Sequence, residues 1–246
     1  MAFDKKQLEV LLINYFRECF FDFPKGKLSA SESPDFILKM KNLHELGIEL
    51  TRLNPANKLM PNEEQITQNQ LREDIIKETQ LMFERSSDTK LFVKFLFSEK
   101  KKLSDEVKMI TSVRIVNAIR EKIKGRNTDV FFYVSVLKKH LPEGVEEILI
   151  VNHPGQQNNV WERSNNLGLS HNVVDDIKQT ILKKEEKLLL YQKQRLNYYW
   201  LLITSDRLRG NKSYNLENKI LNYQFKSNFQ KVFLFDLMKS NIYQLI

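Results

Sequence analysis

The pattern of apolar and polar positions along the chain predicts a mixed α/β protein. Apolar residues recur at helical spacing in four segments, which are residues 4–20, 62–84, 104–124 and 174–191. Short apolar runs of strand length lie between and after them, at residues 33–38, 46–53, 91–97, 146–152, 198–204 and 231–236. This order predicts a mixed central sheet flanked by helices. No linker, internal repeat or low-complexity tract interrupts it, so the sequence predicts a single domain over residues 1–246.

Two of these segments carry more detailed predictions. The run 91–97 is apolar at both alternating sets of positions, which predicts a central strand buried on both faces. The helix at 104–124 is predicted to begin at Ser104 as N-cap and to stop at Gly125. Its predicted inward positions are Val107, Ile110, Val113, Val116 and Ile119. Residues 152–172 and 205–217 are polar and predict loops.

The first two strand-like segments form a candidate hairpin that carries two acids. Asp35 follows Pro34 at the start of one apolar run, and Glu49 alternates with apolar residues in the next run. Period-two alternation places Glu49 and Thr51 on one face of a strand. Residues 39–45 are polar enough to turn the chain between the two strands. The hairpin would bring Asp35 and Glu49 together, and two converging carboxylates suit a hard divalent cation.

Pro34-Asp35-Phe36, a short loop, and then Gly47-Ile48-Glu49-Leu50-Thr51 resemble the core of the PD-(D/E)XK nucleases, the restriction-endonuclease-like superfamily. The resemblance is carried by about twenty residues. It implies that Asp35 and Glu49 bind Mg²⁺ (or Mn²⁺), with the backbone carbonyl of Leu50 as a further ligand. The family places a catalytic Lys two positions after the Glu, where this chain has Thr51.

A replacement for the missing Lys is predicted on the helix 174–191. Some proteins of the superfamily supply this Lys from a following helix, and Lys184 and Lys187 share one side of the helix here. The resemblance also implies a further metal-binding Glu on the first helix, where Glu9 is the better candidate. The simpler interpretation of these lysines is a solvated helix face, and that of Glu9 is a surface carboxylate.

Composition and charge favour an acidic partner. The chain has 246 residues and a formal charge of +8, with a pI near 9.3, so nucleic acid is the first partner to consider. The lone cysteine excludes an intramolecular disulfide and a cysteine-based zinc site, and suits a reducing cytosol. No targeting signal is visible, and no apolar stretch approaches the ~20 residues needed to span a bilayer. We therefore expect a cytoplasmic protein without membrane contact.

The two polar loops hold candidate nucleic-acid contacts. Arg207, Arg209 and Lys212 are placed to contact phosphates, and Trp161 to stack on an unpaired base. The alternative is that both loops are ordinary basic connections.

Three hypotheses follow. The first is a Mg²⁺-dependent nuclease acting on DNA, with Asp35 and Glu49 as metal ligands and Lys184 or Lys187 as the catalytic cation. The second is a catalytically decayed nucleic-acid-binding or interaction module on the same fold, which the absent motif Lys would explain. The third is an unrelated α/β protein. Cutting both strands of a duplex would be easier for a homodimer with two sites, and the oligomeric state stays open.

Overall fold

A computed structural model describes residues 5–53, 62–98, 100–164, 172–191, 196–206 and 216–246. The helices are α1 Lys5–Cys19, α2 Glu63–Glu84, α3 Lys108–Ile123, α4 Val173–Tyr191 and α5 Leu216–Leu221. The strands are β1 Gly26–Ala30, β2 Phe36–Met40, β3 Glu45–Arg52, β4 Phe92–Phe97, β5 Phe132–Leu137, β6 Val145–Asn152, β7 Val160–Arg163, β8 Tyr198–Ser205, β9 Lys231–Asp236 and β10 Asn241–Gln244. The predicted α/β class is confirmed.

The chain divides into two compact units. The first contains Met1–Tyr15 and Met60–Asn165, and the second contains Phe16–Leu59 and Asn166–Ile246. Each unit has its own mixed sheet. Two of the unit boundaries fall in polar segments, at Leu59/Met60 after Asn54-Pro55 and at Asn165/Asn166 within residues 152–172, and the third falls inside α1.

The second unit is built on a six-stranded sheet in the order β1-β2-β3-β8-β9-β10. Strands β1, β2 and β3 form an antiparallel meander, and β8 and β9 continue the sheet parallel to β3. One core cluster joins Ile177 and Ile181 of α4 to Leu201 of β8 and Val232 of β9. A second set of buried rings surrounds Phe233, whose centroid lies 5.3 Å from that of Phe16 and 5.2 Å from that of Trp200.

The first unit contains a four-stranded sheet in the order β5-β6-β4-β7. Helices α2 and α3 cover one face, where Ile75, Phe83 and Ile115 pack with Phe95 and Ile148. Every residue of β4 is buried, which confirms the predicted central strand. Helix α2 begins at a capping box in which Asn62 accepts from the backbone N–H of Gln65 and the Gln65 side chain accepts from the backbone N–H of Asn62.

Helix α3 is rotated relative to its predicted inward face. Ser104 precedes a short 3₁₀ helix, Asp105–Val107, and its side chain makes no capping hydrogen bond. Val107, Ile110 and Val113 are exposed, although they were predicted to face inward. Val116 and Ile119 are buried as predicted. The buried face instead includes Thr111, Ser112 and Ile115. The prediction was wrong because small polar residues occupy the contact with α2, where the Ser112 hydroxyl donates to the Ile75 carbonyl.

The hydrophobic pattern does not predict four of the strands. These are β1, β5, β7 and β10. Strand β1 lies at a sheet edge and has no fully buried residue, so it carries no apolar run for a pattern to detect. Strand β7 falls inside the segment 152–172 that is predicted to be a loop.

None of the helices among the described residues is both long enough and apolar enough to cross a membrane.

Truncation of Phe233 is expected to destabilise the second unit strongly. Phe233 is fully buried among aromatic rings, so Phe233→Ala removes packing and leaves a cavity, at a cost of about 3–5 kcal/mol. Phe21→Ala is the matched control, because the Phe21 side chain is fully exposed. Urea denaturation of both variants measures the difference. Equal midpoints for the two variants would contradict this packing.

Candidate active site

Strands β2 and β3 bring Asp35 beside the Glu49–Leu50 backbone. The antiparallel register pairs Phe36 with Ile48, and Asp35 directly precedes Phe36 as Glu49 directly follows Ile48. The Leu50 backbone N–H donates to Asp35 Oδ2 at 2.7 Å. The predicted antiparallel pairing of the two segments therefore forms, and Asp35 is bound at the backbone next to Glu49. A hydrogen bond to the charged form holds the Asp35 carboxylate in place.

Gly47 gives this hairpin the space that it needs. A Cβ atom at Gly47 would lie 2.7 Å from Pro34 Cγ and 2.9 Å from Leu196 Cδ1, which is closer than van der Waals contact. Only a residue without a side chain lets Pro34 and Leu196 close over this point of β3. Since Asp35 directly follows Pro34, Gly47 acts as a positioning residue for the first carboxylate.

Glu49 is a buried carboxylate with a cationic partner. Its side chain is 5% exposed, and Lys184 Nζ lies 2.7 Å from Glu49 Oε1. The Lys184 side chain is itself only 17% exposed. The two residues are 135 positions apart in sequence, so the ion pair fastens α4 to the sheet at β3. A carboxylate so far removed from water needs a compensating cation.

The structure separates the two candidate lysines. Lys187 is exposed, whereas Lys184 belongs to a less exposed side of α4. Asp176, Thr180 and Lys184 follow at intervals of four, which places them along one face of the helix, and Asp176 and Thr180 are buried. Sequence analysis missed these two polar positions. Their spacing of four residues from one another and from Lys184 is the signal in the sequence that places all three on one helix face.

Thr51 lies in β3 where the family motif has Lys. It is paired in parallel register with Ile203 of β8, and its carbonyl accepts a hydrogen bond from Thr204 Oγ1 at 3.3 Å. Thr51 brings no charge to the site, so Lys184 is the cation that the structure places on Glu49.

Glu9 belongs to the first unit. Its carboxylate forms ion pairs with two lysines about one turn earlier on α1. Lys5 Nζ lies 3.4 Å from Oε1, and Lys6 Nζ lies 3.5 Å from Oε2. These contacts pair Glu9 with lysines of its own helix, and its side chain is 12% exposed. Its predicted role as a metal ligand stays a prediction.

The predicted loop position of Trp161 is wrong. Trp161 lies in β7 and is 6% exposed, and its ring packs 5.4 Å from that of Phe83 and 5.8 Å from that of Phe95. A ring enclosed in the core offers no face to an unpaired base. The prediction was wrong because β7 has only four residues and follows a long polar segment, so the sequence pattern showed no strand there. Arg207, Arg209 and Lys212 lie outside the described residues.

Cys19 is not an activated nucleophile. Burial, assisted by the neighbouring charge of Glu18, raises the pKa of its thiol to about 12. The thiol is therefore protonated near neutral pH, and the reactive thiolate is scarce.

Asp35 and Glu49 are the residues of this site that could hold a divalent cation. Among the described residues, no group of three or more His, Cys, Asp and Glu side chains lies close enough to hold a metal ion. Mg²⁺, however, binds through one or two carboxylates and keeps several waters. Asp35, Glu49 and the Leu50 carbonyl supply two carboxylates and one carbonyl oxygen, which fits this preference. Lys184 supplies positive charge at the same carboxylate.

Removing the cation from the buried pair is expected to destabilise the second unit. Lys184→Met leaves the Glu49 charge buried without its partner, which costs about 3–5 kcal/mol. The double variant Glu49→Gln/Lys184→Met removes both charges, so its loss should be smaller than the sum of the two single losses. Urea unfolding of the wild type, the two single variants and the double variant measures the coupling.

Lys187→Met is the matched control for this cycle. It removes the same charge three residues away on the same helix, but from an exposed position, and should change stability by no more than about 0.5 kcal/mol. If Lys184→Met were as stable as Lys187→Met, the ion pair would not contribute to the free energy of unfolding.

Filling the space at Gly47 is expected to disturb Asp35. Gly47→Ala forces Pro34 and Leu196 apart and should cost about 1–3 kcal/mol. The Leu50 amide, which donates to Asp35, should show a changed NMR shift and faster hydrogen exchange. Gly155→Ala is the control, since a Cβ there meets only the His153 ring at 3.4 Å. An unchanged Leu50 amide in a stable Gly47→Ala variant would refute the positioning role.

Comparisons with protein-family models, curated proteins and solved structures find no match to this chain. The functional argument therefore rests on the chain's own residues and their geometry.

Proposed function

We propose that this protein is a metal-dependent nuclease that hydrolyses phosphodiester bonds in DNA, with Mg²⁺ or Mn²⁺ as its cofactor. The observation that carries the proposal is the contact between Lys184 of α4 and Glu49 of β3, next to the hydrogen bond that holds Asp35 on the same hairpin. Lys184 contacts Glu49 although it is distant in sequence, and Asp35 is held at the backbone of Leu50, the residue after Glu49.

The architecture of the second unit supports a restriction-endonuclease-like core. Asp35 directly precedes β2 and Glu49 lies in β3, and these two strands pair antiparallel. Helix α4 follows and leads into β8, which lies parallel to β3. Apolar residues of α4 pack on β8 and β9, so the helix that carries Lys184 is fixed to the sheet that carries Glu49. A relocated catalytic Lys of this kind is what the resemblance predicts.

The roles of the residues follow from their chemistry. Asp35, Glu49 and the Leu50 carbonyl would hold the ion, which when bound lowers the pKa of a coordinated water and neutralises phosphate charge. Lys184 would donate hydrogen bonds to the phosphate or to the attacking water and would stabilise developing negative charge. Thr51 cannot take this role, because a hydroxyl carries no charge. The net charge of +8 would favour approach of a polyanion.

One observation favours a second candidate, a non-catalytic nucleic-acid-binding module. Lys184 already neutralises Glu49, so the pair by itself can act as a structural ion pair. Metal binding separates the two candidates. A nuclease site should show a thermal shift with Mg²⁺ or Mn²⁺ that Asp35→Asn and Glu49→Gln abolish, whereas a decayed site should show none.

We expect the purified protein to cut DNA only with Mg²⁺ or Mn²⁺. Asp35→Asn and Glu49→Gln should lower the cleavage rate at least about 100-fold, because they remove several kcal/mol of charge stabilisation. Lys184→Met should lower it by about 10²–10⁴-fold, as for loss of a positioned acid or base. Linear duplex, circular duplex and single-stranded DNA, each with and without metal, identify the substrate form.

Two controls keep this experiment decisive. Lys187→Met should cut at close to the native rate, since Lys187 is exposed, and circular dichroism at the assay temperature must show every variant folded. Full activity in folded Asp35→Asn and Glu49→Gln would refute the site. Absence of cleavage with DNA still retained in a gel shift would favour the binding module.

A further inference from the structure

Strand β5 forms an open edge of the sheet in the first unit. The sheet order β5-β6-β4-β7 gives β5 one neighbour, β6, with which it pairs antiparallel from Phe132 to Leu137. On its other side, no segment among the described residues makes backbone hydrogen bonds to it. Such an edge presents alternate backbone N–H and C=O groups to solvent, where a further strand can bind them.

Strand β5 lacks the features by which edge strands usually avoid pairing with another chain. The segment 130–137 contains no charged residue, no Gly and no Pro. The other edge strands that the structure describes are shorter. Strand β1 has five residues and includes Lys27, β7 has four residues and includes Glu162 and Arg163, and β10 has four residues. Short length and charge therefore protect the other edges better than this one, which has six uncharged residues.

Two large apolar side chains lie exposed on one face of β5. Tyr133 is 47% exposed and Leu137 is 53% exposed. Val134 and Val136 pack with the core cluster that α2 and α3 cover. Because side chains alternate along a strand, Tyr133, Ser135 and Leu137 share the opposite face. This face thus has an apolar group near each end and a small residue, Ser135, between them.

The order of residues along β5 is self-complementary for antiparallel pairing with a second copy of the chain. Two identical strands related by a two-fold axis pair about one central residue. A register centred on Ser135 places Tyr133 of each copy directly opposite Leu137 of the other. Aromatic and aliphatic side chains in such opposite positions stabilise antiparallel strands. Since each chain uses the same edge, the assembly closes at two chains.

The charges that flank β5 also favour the antiparallel arrangement. Asp129 precedes the strand, whereas Lys138 and Lys139 follow it, and all three residues are exposed. Arg126, which also precedes the strand, lies over the Phe132 ring, 5.4 Å from its centroid. Antiparallel pairing brings the Asp129 end of one strand to the lysines of the other, at both ends of the pair. A parallel arrangement would bring like charges together.

We propose that two copies of this chain pair antiparallel along β5, in a register centred on Ser135, and join their four-stranded sheets into one continuous sheet. The partner that fits this edge is a second copy, because the apolar positions and the flanking charges complement themselves. One strand pair is a small interface, so we expect weak association. The proposal is independent of the nuclease proposal, since none of the nuclease residues lies on β5.

Sedimentation equilibrium of the full chain tests the proposal. We expect a monomer–dimer equilibrium at concentrations below about 100 µM. Tyr133→Lys/Leu137→Lys places like charges opposite each other twice and should weaken dimerisation at least about tenfold. Tyr133→Lys/Leu137→Glu is the matched control, because the same register then places opposite charges face to face, and it should dimerise at least about tenfold more tightly than the first variant. Both variants change exposed positions, and circular dichroism checks their folding.

Disulfide trapping tests the register without relying on these variants. Directly opposite residues of antiparallel strands have Cα atoms about 4.5–5.5 Å apart, which a disulfide can bridge. Ser135→Cys in a Cys19→Ser background should therefore give a covalent dimer on mild oxidation. Ser29→Cys in the same background is the control, since it makes the same change at an exposed position of the edge strand β1 and should remain monomeric.

A wild-type chain that stays monomeric up to about 100 µM would overturn the proposal and leave a strand of another protein as the occupant of this edge. Equal association of the two folded charge variants would also overturn it, as would an open-ended series of oligomers. Equal trapping of Ser135→Cys and Ser29→Cys would exclude the register centred on Ser135.

Discussion

The second unit depends on one interaction, the ion pair between the buried carboxylate of Glu49 and Lys184. A charged carboxylate inside a sheet is costly unless a cation compensates it. The compensating residue comes from a helix 135 positions later, so β3 cannot reach its native environment until α4 has docked. The pair therefore couples the position of α4 to the chemistry of β3, and the same two groups are the ones that the proposed hydrolysis would use.

The rest of the site is arranged by backbone geometry. The Leu50 N–H holds Asp35, and Gly47 leaves the space in which Pro34 and Leu196 close over β3. The absence of a side chain at Gly47 thus lets Pro34, the residue before Asp35, pack against β3. Buried polar residues on α4, Asp176 and Thr180, continue the same helix face beyond Lys184. The catalytic proposal and the stability of this unit consequently involve the same small set of contacts.

The Glu49 site and the open edge of β5 are formed by different kinds of group. The Glu49 site has buried charges that balance each other, which suits a cation and a phosphate. The edge of β5 has backbone hydrogen-bonding groups and the exposed apolar side chains of Tyr133 and Leu137, which suits another strand. Their separate chemistry means that loss of one function need not affect the other.

The sequence by itself determined the features that depend on local pattern. Alternating apolar residues predicted β4 as a central strand, helical spacing predicted α2, and the Pro-Asp and Gly-Ile-Glu segments predicted the hairpin that joins Asp35 to Glu49. It could not choose between Lys184 and Lys187, because both satisfy the same helical periodicity and only the docking of α4 buries one of them. It misplaced Trp161 and the inward face of α3 for the same reason. Burial depends on which elements pack together, and that is decided by long-range contacts that no local pattern contains.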